Sequence, residues 1–392
     1  MKIAHVITRL ILGGAQENTI LTCEGLHQRG HEVTLITGPA LGPEGQLLDR
    51  AKIGGYRVII VDAMRRAIHP RRDWASYRAL KRELAALAPE VMHSHSSKAG
   101  ILARQAGRRV GVPIIVHTIH GLAFHPYQGR LSNAVYVALE QRAARQTDAL
   151  ISVADAMTAQ ALAAGVGSPE QYTTIYSGME TAPFLARPPE ADTFRAALKL
   201  PPGAVLVTQV SRLAELKGHE YLITAAQALP AGVHFCLVGD GALRGQIESE
   251  IDRQGLRGRF HLTGLVDPGQ IPAILHATDI LVHCSLREGL ARALPQAMLA
   301  AKPVISFDVD GAREVVLPGR TGILLPPRDV GGLCLAIDHL AADAGLRGRL
   351  GAAGREFVRD KFAAETMVDQ IERLYLRLSA QKTGEPRRGS GL

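Results

Sequence analysis

The sequence predicts an α/β protein made of two doubly wound, Rossmann-like domains that face each other across a cleft. Short β-branched runs alternate with amphipathic helical stretches, the alternation stops once in a proline-rich segment and then restarts, and the chain has 392 residues. Alternation of strands and helices implies crossover connections and parallel sheets. A chain of this length exceeds what one hydrophobic core usually serves, so two domains are expected.

The strands are predicted from continuous apolar runs, which are typical of parallel sheets covered by helices on both faces. They are KIAHVIT, HEVTLIT, YRVIIV, EVMHSH, PIIVHT and DALISV in the first half, and AVLVTQVS, HFCLVGD, RFHLTG, DILVHCS and PVISFDV in the second. Helical patterns include 73–87, 289–301 and 331–377. Doubly wound domains bind ligands at the carboxyl ends of their strands, so the site is expected there.

The domain limits follow from the place where the alternation breaks. Residues 1–182 form the predicted first domain and residues 203–361 the second. Five prolines interrupt residues 183–202, which are therefore predicted to be a linker. Residues 380–392 are predicted to be a flexible tail.

The composition, 46% apolar and 21% charged, is globular rather than disordered. No run approaches the roughly 20 apolar residues of a membrane-spanning helix. The start of the chain is too short and too interrupted by Gly13 and Gly14 for a signal peptide. Four widely spaced cysteines without a CxxC pair indicate thiols of a reducing compartment. A cytoplasmic protein is expected.

The net charge of +8 is compatible with an anionic small substrate, an anionic membrane surface or nucleic acid, and only its distribution can discriminate. One basic cluster in the first half contains Trp74 and Tyr77, which suggests peripheral contact with the inner face of a membrane. No nucleic-acid partner is expected. The alternative is a solvated helix face. The basic residues are Arg65, Arg66, Arg71, Arg72, Arg78, Lys81 and Arg82.

Two loops have the residue types that bind phosphate. Gly13 and Gly14 follow the first strand and open a helix, so the backbone can approach an anion at a helix N-terminus, although a plain strand-to-helix turn has the same pattern. Arg212 follows the first strand of the second half, and Lys217 comes five residues later. An arginine fork with a lysine point charge suits a diphosphate leaving group, whereas the alternative is two solvated cations.

A loop glutamate and a helical glutamine predict binding of hydroxyl groups. Glu288 follows a predicted strand, and Gln296 lies eight residues later in the next helix. Oriented acceptors of this kind suit sugar or ribose hydroxyls, although a solvated acid and a polar helix face would look the same. The segment from Gly239 to Gly241 is no dinucleotide fingerprint, because Arg244 stands where the third glycine belongs.

Five histidines cluster near the ends of two strands of the first half, where hydrogen bonding is favoured over metal binding. Neither an H-E-x-x-H motif nor an obvious set of carboxylate ligands accompanies them, so no metal site is predicted. The five are His93, His95, His117, His120 and His125.

Taken together, these residues resemble the retaining GT-B glycosyltransferases of family 4, which have an E-x7-E signature. The similarity covers nearly the whole chain in family order: GGAQE, HSHSSKAG, HTIHG, SRLAELKG, LVGDG, LTG, SLREGL and AMLAAKPV. Gln296 replaces the second glutamate of the signature, and Ser177-Gly178-Met179-Glu180 replaces a common Asn-Gly-x-Asp.

The resemblance implies a hexosyltransferase that uses a nucleoside diphosphate sugar, most simply a UDP-sugar, as substrate and needs no cofactor or metal. It assigns Arg212 and Lys217 to the diphosphate, Glu288 and His120 to the transferred sugar, and Gln296 to the ribose. It places Gly13 and Gly14 against donor phosphate or acceptor, Gly289 and Leu290 near sugar and phosphate, and Gly264 and Leu265 near the base. It also implies an acceptor-side first domain, on which a helix at about 362–379 packs back.

The expected reaction is sugar transfer with retention to a glycan or lipid-linked acceptor, as in lipopolysaccharide, capsule or exopolysaccharide synthesis. No side chain in the motifs resembles the nucleophile of retaining hydrolases, so the leaving phosphate is expected to take the proton of the acceptor. Two alternatives share the architecture. One is a UDP-sugar 2-epimerase, and the other, motivated by Gln296, is a nucleotide-sugar-binding protein without catalysis.

Overall fold

The computed structural model describes residues 1–41 and 45–384, which divide into two compact units. Unit 1 comprises Met1–Met179 together with the chain from Ala363 onward, and unit 2 comprises Glu180–Phe362. Each unit is built around one parallel sheet with helices between successive strands, so the predicted fold class of two Rossmann-like domains is confirmed.

Unit 1 contains a seven-stranded parallel sheet in the order β3-β2-β1-β4-β5-β6-β7. Its strands are β1 (Lys2–Arg9), β2 (Glu32–Gly38), β3 (Arg57–Ile60), β4 (Val91–His95), β5 (Ile114–Ile119), β6 (Ala149–Ser152) and β7 (Tyr172–Thr174). The helices between them are α1 (Gly14–Gln28), α2 (Leu48–Ile53), α3 (Pro70–Leu87), α4 (Ser97–Val110), α5 (Arg130–Ala144) and α6 (Asp155–Ala163). Strands β4 and β5 are buried along their whole length, as a sheet covered on both faces requires.

Unit 2 contains a six-stranded parallel sheet in the order β10-β9-β8-β11-β12-β13. Its strands are β8 (Val205–Val210), β9 (Val233–Val238), β10 (Phe260–Gly264), β11 (Ile280–His283), β12 (Val304–Phe307) and β13 (Gly322–Leu325). Its helices are α7 (Ala182–Leu185), α8 (Glu190–Ala197), α9 (His219–Ala226), α10 (Arg244–Arg253), α11 (Ile271–Ala277), α12 (Ala293–Leu299), α13 (Val330–Ala342) and α14 (Ala344–Val358). The apolar cluster of this unit includes Phe235 and Phe307, which are fully buried.

The segment 183–202 is not the irregular linker that its prolines predict. It contains α8 and most of α7, and α8 packs on α11. Arg195 donates from Nη1 to the carbonyl of Ala277 at 2.6 Å, and the carbonyl of Phe184 lies 3.0 Å from Nε2 of His276. Proline is tolerated in the first turn of a helix, where its missing N–H has no intrahelical partner anyway. Pro183 and Pro189 therefore mark the starts of α7 and α8, whereas Pro201 and Pro202 lie in the turn between α8 and β8.

The last helix, α15 (Ala364–Thr383), belongs to unit 1 and packs against α1. The tail predicted from residue 380 is wrong for 380–383, which continue this helix, and residues 385–392 lie outside the described part of the chain. Glycines permit the close packing: a Cβ on Gly25 would lie 2.7 Å from Val368, and one on Gly178 would lie 2.8 Å from Cα of Ala364. The fully buried Tyr375 hydroxyl lies 2.5 Å from Nδ1 of His93 on β4.

No helix in the described ranges is long and apolar enough to cross a membrane.

Replacing Tyr375 with Phe should lower the free energy of unfolding by about 1–3 kcal/mol, because one ring nitrogen of the fully buried His93 loses its partner. Urea denaturation measures this change. Tyr77→Phe is the matched control, since Tyr77 is half-buried, its ring stacks on Trp74, and its hydroxyl has no hydrogen bond among the described residues. Equal stability of the Tyr375→Phe variant and the wild type would show that the hydrogen bond contributes nothing.

Candidate functional site

In unit 2 the strand order reverses between β8 and β11, which are neighbours in the sheet although two strands separate them in sequence. At such a reversal the connections after the two strands leave toward opposite sides and open a crevice at the carboxyl ends. Lys217 lies in the loop after β8, and Glu288 lies in the loop after β11. Two residues predicted from separate motifs therefore meet at the one edge where the topology places a ligand.

Lys217 and Glu288 form an ion pair in which Nζ of the lysine donates to Oε1 of the glutamate. Their side chains are 17% and 20% exposed, so the pair is only partly screened by water. Nε2 of the buried His283 lies 3.3 Å from the same oxygen. Glu288 thus faces one fixed cation and one titratable ring.

The charge of Glu288 is set by opposing effects. Burial raises the pKa of this carboxyl, but the positive charge of Lys217 and the contact with His283 together hold it well below its usual range. Glu288 is therefore a carboxylate at neutral pH. A carboxylate has more lone pairs than Lys217 can use, so it can also accept hydrogen bonds from ligand hydroxyls.

Backbone packing fixes the two loops against each other. Gly218 has φ +71°, and a Cβ there would lie 2.0 Å from the carbonyl oxygen of Cys284, so only glycine fits. The carbonyl of Leu216, itself at φ +64°, accepts the N–H of Leu286 at 2.8 Å. Strained backbone of this kind persists at functional sites when the surroundings enforce it. Lys217 and Glu288 are consequently held by neighbouring segments whose separation cannot vary freely.

Asp310 anchors the glutamate loop from a third segment. Its Oδ2 accepts the backbone N–H of Glu288 at 2.7 Å, and its own φ is +47°. Asp308 and Asp310 also form an Asp-x-Asp pattern, which can ligate a divalent cation. Asp308, however, accepts a hydrogen bond from Nε of Arg313 at 3.0 Å. Both carboxylates are engaged in holding loops of unit 2.

The glycines after β9 shape the same edge rather than a dinucleotide site. Gly239 has φ +133°, and a Cβ there would lie 2.2 Å from the carbonyl oxygen of Ser211. A Cβ on Gly241 would lie 2.3 Å from the carbonyl oxygen of Leu213. These close approaches keep the loop after β9 against the loop that leads to Lys217.

Several buried polar groups at this edge lack a hydrogen-bond partner within the described ranges. They include Nδ1 of His283, Oγ of Ser285 and Oε1 of Gln209. Nε2 of the nearby His219 lies 3.1 Å from Oγ of Ser211. Burial and, to a smaller extent, the positive charge of Lys217 lower the pKa of His219 to about 4. Unsatisfied buried polar groups are rare in folded proteins, and a bound ligand or a water molecule is a common explanation. Gln209, His219 and His283 belong to none of the predicted motifs, although polar side chains at strand ends could have indicated them.

The remaining site residues predicted for unit 2 differ in how far they are exposed to solvent. Arg212 is exposed, and its guanidinium has no ion pair among the described residues. Gly289 and Leu290 are buried directly after Glu288, whereas Gln296 is half-buried in α12. Gly264 ends β10 with φ +72° and pairs with Gly239, and Leu265 is 52% exposed.

In unit 1 the predicted residues follow two strands near a second order reversal, between β1 and β4. Gly13 and Gly14 come after β1 and open α1, and the carbonyl of Gly13 accepts the N–H of Glu17 at 3.0 Å. His120 directly follows β5, and its Nε2 lies 3.1 Å from Nδ1 of His95. The structure thus connects His120 to a buried histidine.

Comparison with known proteins identifies both units. Residues 13–178 match the model of the glycosyl transferase 4-like domain, and residues 190–357 match the model of glycosyl transferases group 1. The chain is 29% identical over 389 residues to UDP-Gal:alpha-D-GlcNAc-diphosphoundecaprenol alpha-1,3-galactosyltransferase of Escherichia coli, covering 97% of this chain and 98% of that protein. It is 30% identical over 272 residues to 2-deoxystreptamine glucosyltransferase of Streptomyces kanamyceticus, covering 66% of this chain and 68% of that protein. The chain is a glycosyltransferase of group 1, with a family 4-like first domain.

The fold of this glycosyltransferase is GT-B. HepE of Anabaena in complex with UDP-glucose superposes with a TM-score of 0.83 at 23% identity, over 96% of this chain and all of the HepE chain. The family assignment and the fold were both predicted from the ordered motifs.

Replacing Lys217 with Met in this glycosyltransferase should raise the pKa of Glu288, because burial remains while the main favourable charge is removed. A carboxyl ¹³C NMR titration measures the midpoint. Wild-type Glu288 has a depressed pKa and so contributes stability above its unfolded pKa of about 4.3, which is lost as the pH falls. The variant should therefore lose more stability at pH 7.5 than at pH 4.

Lys199→Met is the control for this titration, because Lys199 is exposed and lies in the turn after α8. An unchanged midpoint of Glu288 in Lys217→Met would contradict the electrostatic assignment.

Proposed function

We propose that the chain transfers a sugar from a UDP-sugar to a glycan or lipid-linked acceptor with retention at the anomeric carbon. The observation that carries this proposal is the Lys217–Glu288 pair at the strand-order reversal of unit 2, on the same sheet edge as buried polar groups that have no hydrogen-bond partner among the described residues. Doubly wound domains bind nucleotides at such a reversal. UDP as the nucleotide is supported by the UDP-galactose donor named for the E. coli relative and by the UDP-glucose bound to HepE.

Each part of the donor has a proposed partner in unit 2. Lys217, already held by Glu288, offers its remaining N–H groups to the diphosphate, and the exposed Arg212 adds a bidentate fork. The second oxygen of Glu288 accepts a hydroxyl of the transferred sugar. Gln296 bonds the ribose with an uncharged amide, while backbone groups around Gly264 and Leu265 meet the base.

The proposed reaction breaks the bond between the anomeric carbon and the diphosphate oxygen, and both bonding electrons leave with the diphosphate. The acceptor oxygen forms the new bond on the same face, and its proton passes to the departing phosphate oxygen. Cationic groups aimed at the leaving oxygens stabilise the charge that develops there without rearranging during the step. We propose that Lys217 and Arg212 supply this stabilisation and that no metal is required.

Activity measurements on substitutions of the ion pair test the proposal. Lys217→Ala and Glu288→Gln should each lower kcat/KM for sugar transfer by about 100-fold or more, because each removes a group that contacts the reacting donor. Release of UDP from a panel of UDP-, GDP- and ADP-sugars is the measurement. Lys199→Ala and Glu190→Gln, two exposed substitutions in unit 2, should retain wild-type rates.

Undiminished turnover in both variants would refute the assigned roles. Isomerisation of the donor without any acceptor would instead indicate the 2-epimerase. Tight donor binding without turnover across lipid-linked and glycan acceptors would indicate a binding protein.

We also propose that unit 1 contacts an anionic membrane surface, which suits a lipid-linked acceptor. Six of the seven clustered basic residues are exposed on α3 and the loop before it, together with Trp74 at 61% exposure. Helix α4 packs between α3 and α5, and α5 exposes an apolar stripe of Leu131, Val135 and Leu139. Trp74 among the basic residues of α3, together with an exposed apolar stripe on α5, resembles the pattern of helices that lie in a membrane interface.

Vesicle binding should depend on that stripe. The wild type should sediment with vesicles that contain phosphatidylglycerol, with a blue shift in the fluorescence of Trp74, the single tryptophan of the chain. The double variant Leu131→Gln, Val135→Gln should bind several-fold more weakly, because less apolar area enters the interface. Leu335→Gln on α13 is the control, since Leu335 is 72% exposed but belongs to unit 2. Equal loss in both variants, or no sedimentation at low salt, would exclude this surface.

A further inference from the structure

A row of three histidines in unit 1 leads from the interior of the sheet to His120. Nδ1 of His5 on β1 lies 3.0 Å from Nε2 of His95 on β4, and Nδ1 of His95 lies 3.1 Å from Nε2 of His120. The rings are nearly parallel, with interplanar angles of 20° and 25° and centroid separations of 5.3 Å at both steps. His5 and His95 are fully buried, while His120 is half-buried. The three rings form one hydrogen-bonded row that ends at the half-buried His120.

The two inner rings are neutral. Burial lowers the pKa of His5 to about 3, and burial together with the neighbouring histidines lowers that of His95 well below its usual value. A neutral imidazole has one N–H and one lone pair, so each ring can donate to one neighbour only. The N–H groups of the three rings must therefore all point inward, toward His5, or all point outward, toward His120.

The inner end decides between the directions. Nε2 of His5 is buried and has no hydrogen-bond partner among the described residues. If the protons pointed inward, this nitrogen would be an N–H without an acceptor, which is rare and costs about 1–3 kcal/mol. If the protons point outward, Nε2 of His5 has only an unpaired lone pair, and a buried acceptor without a partner is tolerated better than a buried donor without one. In the outward direction His5 and His95 donate from Nδ1, and His120 accepts at Nε2.

We propose that His5 and His95 are positioning residues that hold His120 as its Nδ1–H tautomer, so that this nitrogen donates a hydrogen bond and does not accept a proton. The contact of His120 with the transferred sugar rests on the proposed function, whereas its tautomer does not. An Nδ1–H donor suits a hydroxyl or phosphate oxygen of the substrate. It also leaves the leaving phosphate, rather than His120, to take the proton of the acceptor.

A metal ion is the other use to which such a cluster could be put, since His5, His93 and His95 lie close enough to share one. Both ring nitrogens of His93 are engaged, however, with Tyr375 at 2.5 Å and Thr118 at 2.7 Å. Both ring nitrogens of His95 are hydrogen-bonded as well, one to His5 and the other to His120. A metal would have to break at least two of these hydrogen bonds, which favours the proton-ordered chain.

Ring ¹⁵N NMR of the full-length protein with labelled histidine tests the tautomers directly. In the wild type His5, His95 and His120 should all show a protonated Nδ1 and an unprotonated Nε2, the less common form of histidine in water. His95→Leu should return His120 to the common Nε2–H form. His93→Leu is the matched control, because it removes an equally buried ring of β4 that lies outside the chain, and His120 should keep its Nδ1–H.

An Nε2–H signal from His120 in the wild type overturns the proposal, and this outcome needs no variant to fold. A shift of the His5 or His95 nitrogens on adding Zn²⁺ also overturns it in favour of a metal site. Transfer assays then address the sugar contact. His120→Ala should lower kcat/KM about tenfold, while His120→Asn, which keeps an N–H donor, should retain most of the activity. Equal loss in both variants would refute the donor role but leave the measured tautomer standing.

Discussion

The site in unit 2 depends on the ion pair between Lys217 and Glu288. Removing two charges from water is costly, and a pair of this kind is retained only where geometry and further polar contacts compensate. Here the compensation comes from His283 beside the carboxylate, from Asp310 on the backbone of Glu288, and from loops whose backbones touch. A lysine held in this way is already oriented, so the diphosphate binding that we propose for it would require little rearrangement.

The glycines of the motifs allow the loops around Lys217 and Glu288 to pack closely, because a glycine has no Cβ. Gly218, Gly239 and Gly241 each stand where a Cβ would collide with a carbonyl oxygen of an adjacent loop. Their role is to bring three loops of unit 2 within contact distance, so that charged side chains from separate strands converge. The same requirement explains why LVGDG resembles a dinucleotide fingerprint without being one: the glycines contact protein backbone.

Unit 1 has different side chains at the carboxyl ends of its strands. Its carboxyl-end interior is lined with histidines instead of a charged pair, and burial keeps the inner rings neutral. Neutral rings can be packed between strands at modest cost provided that their nitrogens are paired, which Tyr375 and Thr118 do for His93. The last helix therefore contributes a hydrogen bond to the interior of the sheet as well as an apolar face.

The sequence predicted the strands inside each sheet and also the edge strands β3 and β10, because each lies in an apolar run. It missed the edge strands β7 and β13, which have only three and four residues, too few for a period to be recognised. It misread 183–202, because proline interrupts a periodic pattern equally in a linker and at a helix start. The end of α15 was placed too early for a related reason: a polar last turn looks like a tail.

For the site, the sequence by itself determined the family, the fold and the residue types that we propose bind the donor, because the motifs occur in the family's order along the chain. Only the tertiary structure decided which groups act on one another. His283 and Asp310 act on Glu288, and His5 acts on His120 through His95, because strands distant in sequence are adjacent in a sheet. A pKa or a tautomer depends on burial and on neighbours a few ångströms away, and no spacing along the chain encodes those distances.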